Sequence, residues 1–202
     1  MDLAWQPSLY GDIEPTPDPY FAGIERHGLS DGGWVDHAAE WLQGADALFA
    51  DLLENAPWQA TEQELYGRVV TTPRLVARWP YEQDRVPLPP ALEHIRALLE
   101  QRYRRHFDLV SANLYRDGRD SVAWHGDRIA RTIVNPLVAT VSLGHARRFL
   151  MRPRGGQTQL ALTLGSGDLV VMGGTSQRTW QHAIPKVASA GPRISIAVRH
   201  SR

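Results

Sequence analysis

The 202 residues contain no cysteine. That excludes disulfides, thiolate nucleophiles and iron–sulfur clusters, and it fits a reducing, cytoplasmic setting. Long apolar runs are missing as well, and none approaches the ~18 residues of a membrane-spanning helix. The opening Met1-Asp2-Leu3-Ala4-Trp5 lacks a basic stretch leading into an apolar one, so no signal peptide is expected. There is no internal repeat and no low-complexity tract. Lysine is nearly absent, Lys186 being the only one among 22 basic residues. The formal net charge is zero but unevenly divided. Residues 1–127 carry 11 Lys/Arg against 21 Asp/Glu, and residues 128–202 carry 11 Lys/Arg against Asp168 alone. A basic half of this kind is how a polyanion-binding face reads in sequence, unless the fold interleaves the halves and averages the field away.

What is present is a set of chemical groups in a telling order. His125-Gly126-Asp127 is followed by His182, Arg193 and Arg199. Two histidines and one carboxylate can occupy one face of a ferrous ion and leave the other open to a co-substrate and oxygen. The His-x-Asp spacing is common, and His106-Phe107-Asp108 fits it too. Surroundings separate the two. His106 closes the basic helix end Arg102-Tyr103-Arg104-Arg105, where an imidazole can serve the helix dipole. His125 follows a polar turn, 116–121, beyond an apolar run that ends in Asn113-Leu114-Tyr115. If that run is a strand, Asn113 and Tyr115 share a face. Among later histidines, His145 reads as part of a turn, while His182 is followed by Arg193 and Arg199. In 193–199, Ile194, Ile196 and Val198 alternate with Arg193, Ser195 and Arg199. If that strand face is buried, its two arginines call for an anion, and a dicarboxylate suits paired guanidinium hydrogen bonds; an exposed face would carry them as ordinary surface arginines.

The length is that of one domain. Residues 1–30, rich in Pro, Gly and Asp, read as an extended arm. Residues 31–106 read as helical support, with a helical segment from about 34 to 55 that Gly44 offers to break and a second opening at Pro89-Pro90 and running to about 105. Within them, about 58–87 form a candidate substrate lid. Residues 107–202 read as a catalytic core of short strands near 107–115, 137–143, 147–152, 158–164, 168–172, 180–184 and 192–199. Helices first and strands afterwards give an α+β class, with a double-stranded β-helix, or jelly roll, supported by N-terminal helices.

Over roughly residues 57–200 the ordered motifs resemble the AlkB-type iron(II)- and 2-oxoglutarate-dependent dioxygenases. They are Pro73-Arg74, Leu88-Pro89, Asn113-x-Tyr115, Trp124-His125-x-Asp127, Ser142-Leu143-Gly144, Gly167-Asp168-Leu169 with Met172, Trp180-x-His182, and the closing Arg193-x-Ser195-x-x-x-Arg199. The resemblance implies Fe(II) on His125, Asp127 and His182. It implies 2-oxoglutarate on Asn113, Tyr115, Arg193, Ser195 and Arg199, with Arg193 on its distal carboxylate. The implied reaction consumes O2, releases succinate and CO2, and hydroxylates a C–H bond. On an N-methyl group this amounts to demethylation of alkylated DNA or RNA with loss of formaldehyde. A nucleobase would have to leave the stack, and Arg74, Trp79, Tyr81 and Trp124 are the candidate substrate contacts. No protein partner is expected, and the chain is expected to act as a monomer. One departure stands out: after Asp127 the chain reads Arg128-Ile129-Ala130-Arg131, where many relatives carry an acid able to meet a base amino group. That leaves open a same-mechanism oxygenase acting on a small molecule or a protein side chain.

Overall fold

The structure is a computed structural model that describes residues 13–65, 68–80, 87–127 and 129–200, with side chains described for all of these but 63–65, 68–71 and 80. In chain order the elements begin with β1 (Thr16–Pro17), β2 (Glu25–Gly28), β3 (Gly33–Ala38), β4 (Leu42–Gln43) and α1 (Ala45–Asn55). Next come β5 (Gln59–Leu65), β6 (Arg68–Pro80), α2 (Pro90–Tyr103), β7 (Leu109–Tyr115) and β8 (Val122–His125). The last group is β9 (Val138–Gly144), β10 (Arg147–Pro153), β11 (Leu160–Leu164), β12 (Leu169–Gly174), α3 (Ser176–Thr179), β13 (Trp180–Ile184) and β14 (Arg193–Arg199).

Eight strands form a major sheet in the order β2-β3-β12-β9-β14-β7-β6-β5, and four form a minor sheet, β11-β10-β13-β8. The pairings in both are antiparallel. Side chains alternate across a strand, so the major sheet has two faces with different duties. One face carries Ala112, Leu114, Val141, Leu143, Ile194, Ile196 and Val198, and packs on Leu48, Phe49 and Leu52 of α1 and Leu92, Ile95 and Leu99 of α2. The other carries Tyr115, Val138, Val170 and Met172, and meets Phe149, Met151, Trp180 and Ile184 of the minor sheet. Two sheets and two separate apolar layers result, with helices covering one side. This mostly β architecture fits a jelly roll.

All seven expected strands are present, within about two residues at each end. The helical segment expected over 34–55 does divide at Gly44, and its first part is corrected to strand, leaving a shorter helix after the glycine. Residues 33–38 are β3, paired with β2 and β12. The 3–4 apolar spacing that forms one buried stripe begins only at Ala45, continuing through Leu48, Phe49 and Leu52. Gly44 separates the two with φ +65, and a side chain there would run into the carbonyl oxygens of Ile13 and Glu14. From residue 13 the N-terminal arm is tied down, β1 to β4 and β2 to β3. Much of the candidate lid is the β5–β6 hairpin, which extends the major sheet beside β7.

Candidate active site

The polar side chains gather between the two sheets, because five strands turn them inward from the same two layers. Tyr115 and Asn113 come from β7, Thr140 from β9, and Arg193, Ser195 and Arg199 from β14, facing His125 of β8 and His182 of β13. Arg74 from β6 and Asp127, just past β8, complete the polar lining, while Val122, Phe149 and Ile184 supply apolar wall. The register fixes the histidines, since His125 lies directly opposite His182 on the neighbouring strand. Their ring centroids are 4.2 Å apart.

Asp127 reaches into this pocket with its carboxylate 6% exposed and Oδ2 3.6 Å from Nε2 of His182. Arg199 Nε donates to its Oδ1 at 2.8 Å, while Oδ2 is buried without a hydrogen-bond partner. Burial alone would raise the Asp127 pKa, but the charges of Arg199, His182 and His125 outweigh it and hold it at about 2. Burial pushes His182 down to about 3, helped by His125 and Arg199 and opposed by Asp127. His125 Nδ1 lies 2.9 Å from the Ala123 carbonyl. A carbonyl can only accept, so Nδ1 carries a proton and this bond turns Nε2 toward the pocket side of the ring. Among the described residues, no three His, Cys, Asp or Glu side chains stand at ready-made metal-holding distances. The donor types nevertheless fit a 2-His-1-carboxylate set: two imidazoles and an ionised carboxylate share one pocket, and Asp127 Oδ2 has no hydrogen-bond partner among the described residues.

Arg193 is 1% exposed, and among the described residues no carboxylate pairs with it. Its Nη2 donates to Ser142 Oγ at 2.7 Å, while Nε and Nη1 have no partner. Burial lowers its pKa from the usual value, with Tyr115 opposing and Arg147 adding to the effect. Such a cation is held at a cost that an anionic ligand would offset. Tyr115 stands between two guanidinium groups, with Arg193 5.2 Å and Arg147 5.8 Å from its ring. Arg199 is more engaged than the sequence suggested. Besides Asp127 it donates to Ser111 Oγ at 2.6 Å. Asn113 is likewise engaged, accepting from Arg74 Nε at 2.9 Å.

The candidate substrate contacts scatter. Arg74 lines the pocket. Trp124 is half-buried beneath Arg152, whose guanidinium is 4.3 Å from its ring. Trp79 is set apart, 4% exposed in the layer against the helices. Tyr81 lies outside the described residues. His106 is placed in a structural role, its Nδ1 2.9 Å from Glu100 Oε1. Sequence reasoning missed Gln177, whose Oε1 accepts from the Asp127 amide at 3.0 Å. It also missed Thr140, and the partner hydroxyls of Ser111 and Ser142. Alternation along β7 and β9 was the available signal for the hydroxyls; nothing local marks Gln177. Beside Asp127 a cleft of about 790 Å³ opens, lined by Ile129, Ala130, Arg131, Arg154, Gln177 and Arg178.

A family model described as the 2OG-Fe(II) oxygenase superfamily matches residues 42–199. The chain is 31% identical over 196 residues to the alpha-ketoglutarate-dependent dioxygenase alkB homolog 3 of Bos taurus, covering 88% of this chain and 66% of that protein. For the Homo sapiens protein of the same name the identity is 29% over 186 residues, covering 83% and 63%. The DNA oxidative demethylase ALKBH2 of Arabidopsis thaliana is 32% identical over 135 residues, covering 55% and 43%. The chain thus spans two thirds or less of the length of these relatives. Its fold is like that of the solved structure of OsALKBH1, with a TM-score of 0.58 at 14% identity over 87% of this chain and 99% of that one. The chain belongs to the 2OG-Fe(II) oxygenase superfamily, and within it to the AlkB type.

Proposed function

We propose that this protein is an Fe(II)- and 2-oxoglutarate-dependent dioxygenase that oxidatively demethylates N-alkylated bases in DNA or RNA, acting as a monomer. The observation that carries this reading is a meeting in one pocket. A two-histidine, one-carboxylate donor set faces a buried guanidinium that has no anion of its own.

His125, Asp127 and His182 would hold the metal: burial keeps His182 neutral, its cationic neighbours keep Asp127 ionised, and the Ala123 carbonyl orients the His125 ring through Nδ1. When bound, iron(II) with 2-oxoglutarate and O2 supplies oxidative decarboxylation to succinate and CO2 and hydroxylation of the N-methyl group, which then leaves as formaldehyde. Arg193 would take the distal carboxylate of 2-oxoglutarate with its two unpartnered nitrogens. Asn113, Tyr115 and Ser195 would form the polar wall beside it. Arg199 would fix Asp127 with one edge and face the co-substrate with the other. Arg74, Trp124 and the lid segment 58–87 would border the substrate. The arginines of the adjoining cleft suit phosphates, which position a nucleic acid without reading it. All of this belongs to a single catalytic unit, with 1–30 as its arm and 107–202 as its core.

The test is succinate release from 2-oxoglutarate with iron(II) and ascorbate, with and without N-alkylated oligonucleotides, while formaldehyde is measured in parallel. Stimulated succinate with matching formaldehyde is expected. Succinate that no oligonucleotide stimulates would count against a nucleic-acid substrate and send the search to small molecules and protein side chains.

A further inference from the structure

The segment just after the carboxylate donor has few bonds of its own. Within it Ile133 N donates to Ala130 O at 3.1 Å, and Ile129 buries its side chain in the layer between the sheets. Ile133 packs against the same layer, and further anchorage comes from α3, the four-residue helix between β12 and β13. Arg178 donates to three carbonyls of that segment: from Nη1 to Ile129 O at 3.2 Å, and from Nη2 to Ala130 O at 2.7 Å and Ile133 O at 3.1 Å. The preceding residue, Gln177, is 2% exposed and accepts from the Asp127 amide. Its Nε2 lies 3.4 Å from Met172 Sδ on β12. Arg154 closes the arrangement from the minor sheet, its Nε donating to the Arg178 carbonyl at 2.8 Å. Gly126 lets this clasp approach, since a Cβ there would lie 2.9 Å from Arg154 Nη2 and 3.1 Å from the Gln177 carbonyl.

We propose that Arg178 is a specificity-determining positioning residue that holds residues 129–133 as the substrate-facing rim of the cleft. This rests on the functional reading above. The three carbonyls it binds belong to residues 129–133, and Ile129, Ala130 and Arg178 itself line the cleft beside Asp127. Guanidinium geometry matters here, because one planar fork satisfies carbonyls on separate residues at once. Gln177 keeps the Asp127 backbone in place independently, so the rim can loosen while the donor stays seated. α3 runs directly into β13, so the clasp ties the rim to the strand that carries His182.

The experiment compares wild type with Arg178→Met and Arg178→Lys by two readouts. In steady-state turnover, Arg178→Met should raise the KM for an N-methylated oligonucleotide by about tenfold while the KM for 2-oxoglutarate moves less than twofold. Arg178→Lys, which keeps donors for part of the set, should fall between. In hydrogen exchange without substrate, the amides of 129–133 should exchange faster in Arg178→Met than in wild type, with β14 unaffected. An unchanged oligonucleotide KM, or equal rises in both KM values, would overturn the specificity role. Wild-type protein that consumes 2-oxoglutarate but ignores every alkylated oligonucleotide would overturn the nucleic-acid reading instead. Exchange then decides the clasp by itself, and unchanged protection at 129–133 would sink it.

Discussion

Arg193 and Trp79 mark the two limits of what single residues disclosed. Arg193 was legible because alternation alone put it on a face with Ser195 and Arg199, and burying two arginines demands an explanation. The structure gives that burial and leaves Nε and Nη1 unpartnered. Even a buried ion pair can often be replaced by apolar side chains at no loss or with a gain of about 1–4 kcal/mol, and a buried cation without a carboxylate has less attraction to lose. Arg193→Met should therefore melt no lower than wild type in the absence of ligand. It should also lose the rise in melting temperature that 2-oxoglutarate gives to wild type by mass action. Thermal denaturation with and without 2-oxoglutarate checks both halves, and a large drop in the unliganded midpoint would mean that the guanidinium supports the fold. Trp79 was misjudged for a geometric reason. Once 68–80 is recognised as a strand, Leu75, Ala77 and Trp79 fall opposite Leu114, Ala112 and Val110, on the helix-facing side. Arg78, opposite Ser111, shares the face of Arg74 instead. Gln177 stayed hidden because its partner, the Asp127 amide, lies 50 residues away.

Elements were readable where their pattern was local. Seven of the eight strands after residue 107 announce themselves by alternation and by Gly, Pro and Asn turns, and α2 by the prolines that open it, while the four-residue β8 goes unmarked. β3 and the β5–β6 hairpin did not, because strand pairing across long sequence distances decides them and not local propensity. α1 lies on the helix-facing layer, where Phe49 is fully buried. Phe49→Ala should cost about 3–5 kcal/mol of stability in denaturant unfolding. Iron and 2-oxoglutarate affinity should barely change, since the pocket is on the other face of the sheet. Asp168 joins elements in another way. Its carboxylate accepts from the amides of Glu40 at 3.0 Å and Gly165 at 2.9 Å, and Oδ2 lies 3.4 Å from His37 Nε2. Burial would raise its pKa, but these three contacts outweigh burial and lower it. A carboxylate depressed in the folded state contributes stability above its unfolded value, lost as pH falls through the folded one. Asp168→Asn should therefore be less stable than wild type at neutral pH, with a difference that narrows on acidification. Urea unfolding from about pH 6 down to about pH 3 measures it.

At the scale of the whole molecule, the divided charge meets a divided answer. In the major sheet, β9, β12 and β14 from the basic half lie among strands from the acidic half, so the field there is mixed. The minor sheet keeps the imbalance, because β10, β11 and β13 come from the basic half. Arg148, Arg152 and Arg154 belong to β10 or follow it, and Arg178 precedes β13. This is the side on which the arginine-lined cleft opens. Oligonucleotide binding should weaken steeply with salt, and Arg154→Ala should reduce the slope of log K against log salt by about one. A titration series in sodium chloride decides it, and a slope near zero in wild type would remove the electrostatic footprint.

The two-faced major sheet also bears on how the chain reaches this structure. β14 pairs with β7 and β9 over its whole length, Ile194, Ile196 and Val198 toward the helices and Arg193, Ser195 and Arg199 toward the pocket. A slip of one residue would reverse every side chain. Two guanidinium groups would then enter the layer beside Phe49 and Leu52, and three branched aliphatics would enter the polar pocket. Misregistered chains are thus penalised twice during assembly. The residues set aside for chemistry double as a proofreading device for the central strand, so replacing both arginines with apolar side chains would also erase the signal that tells one register from the next.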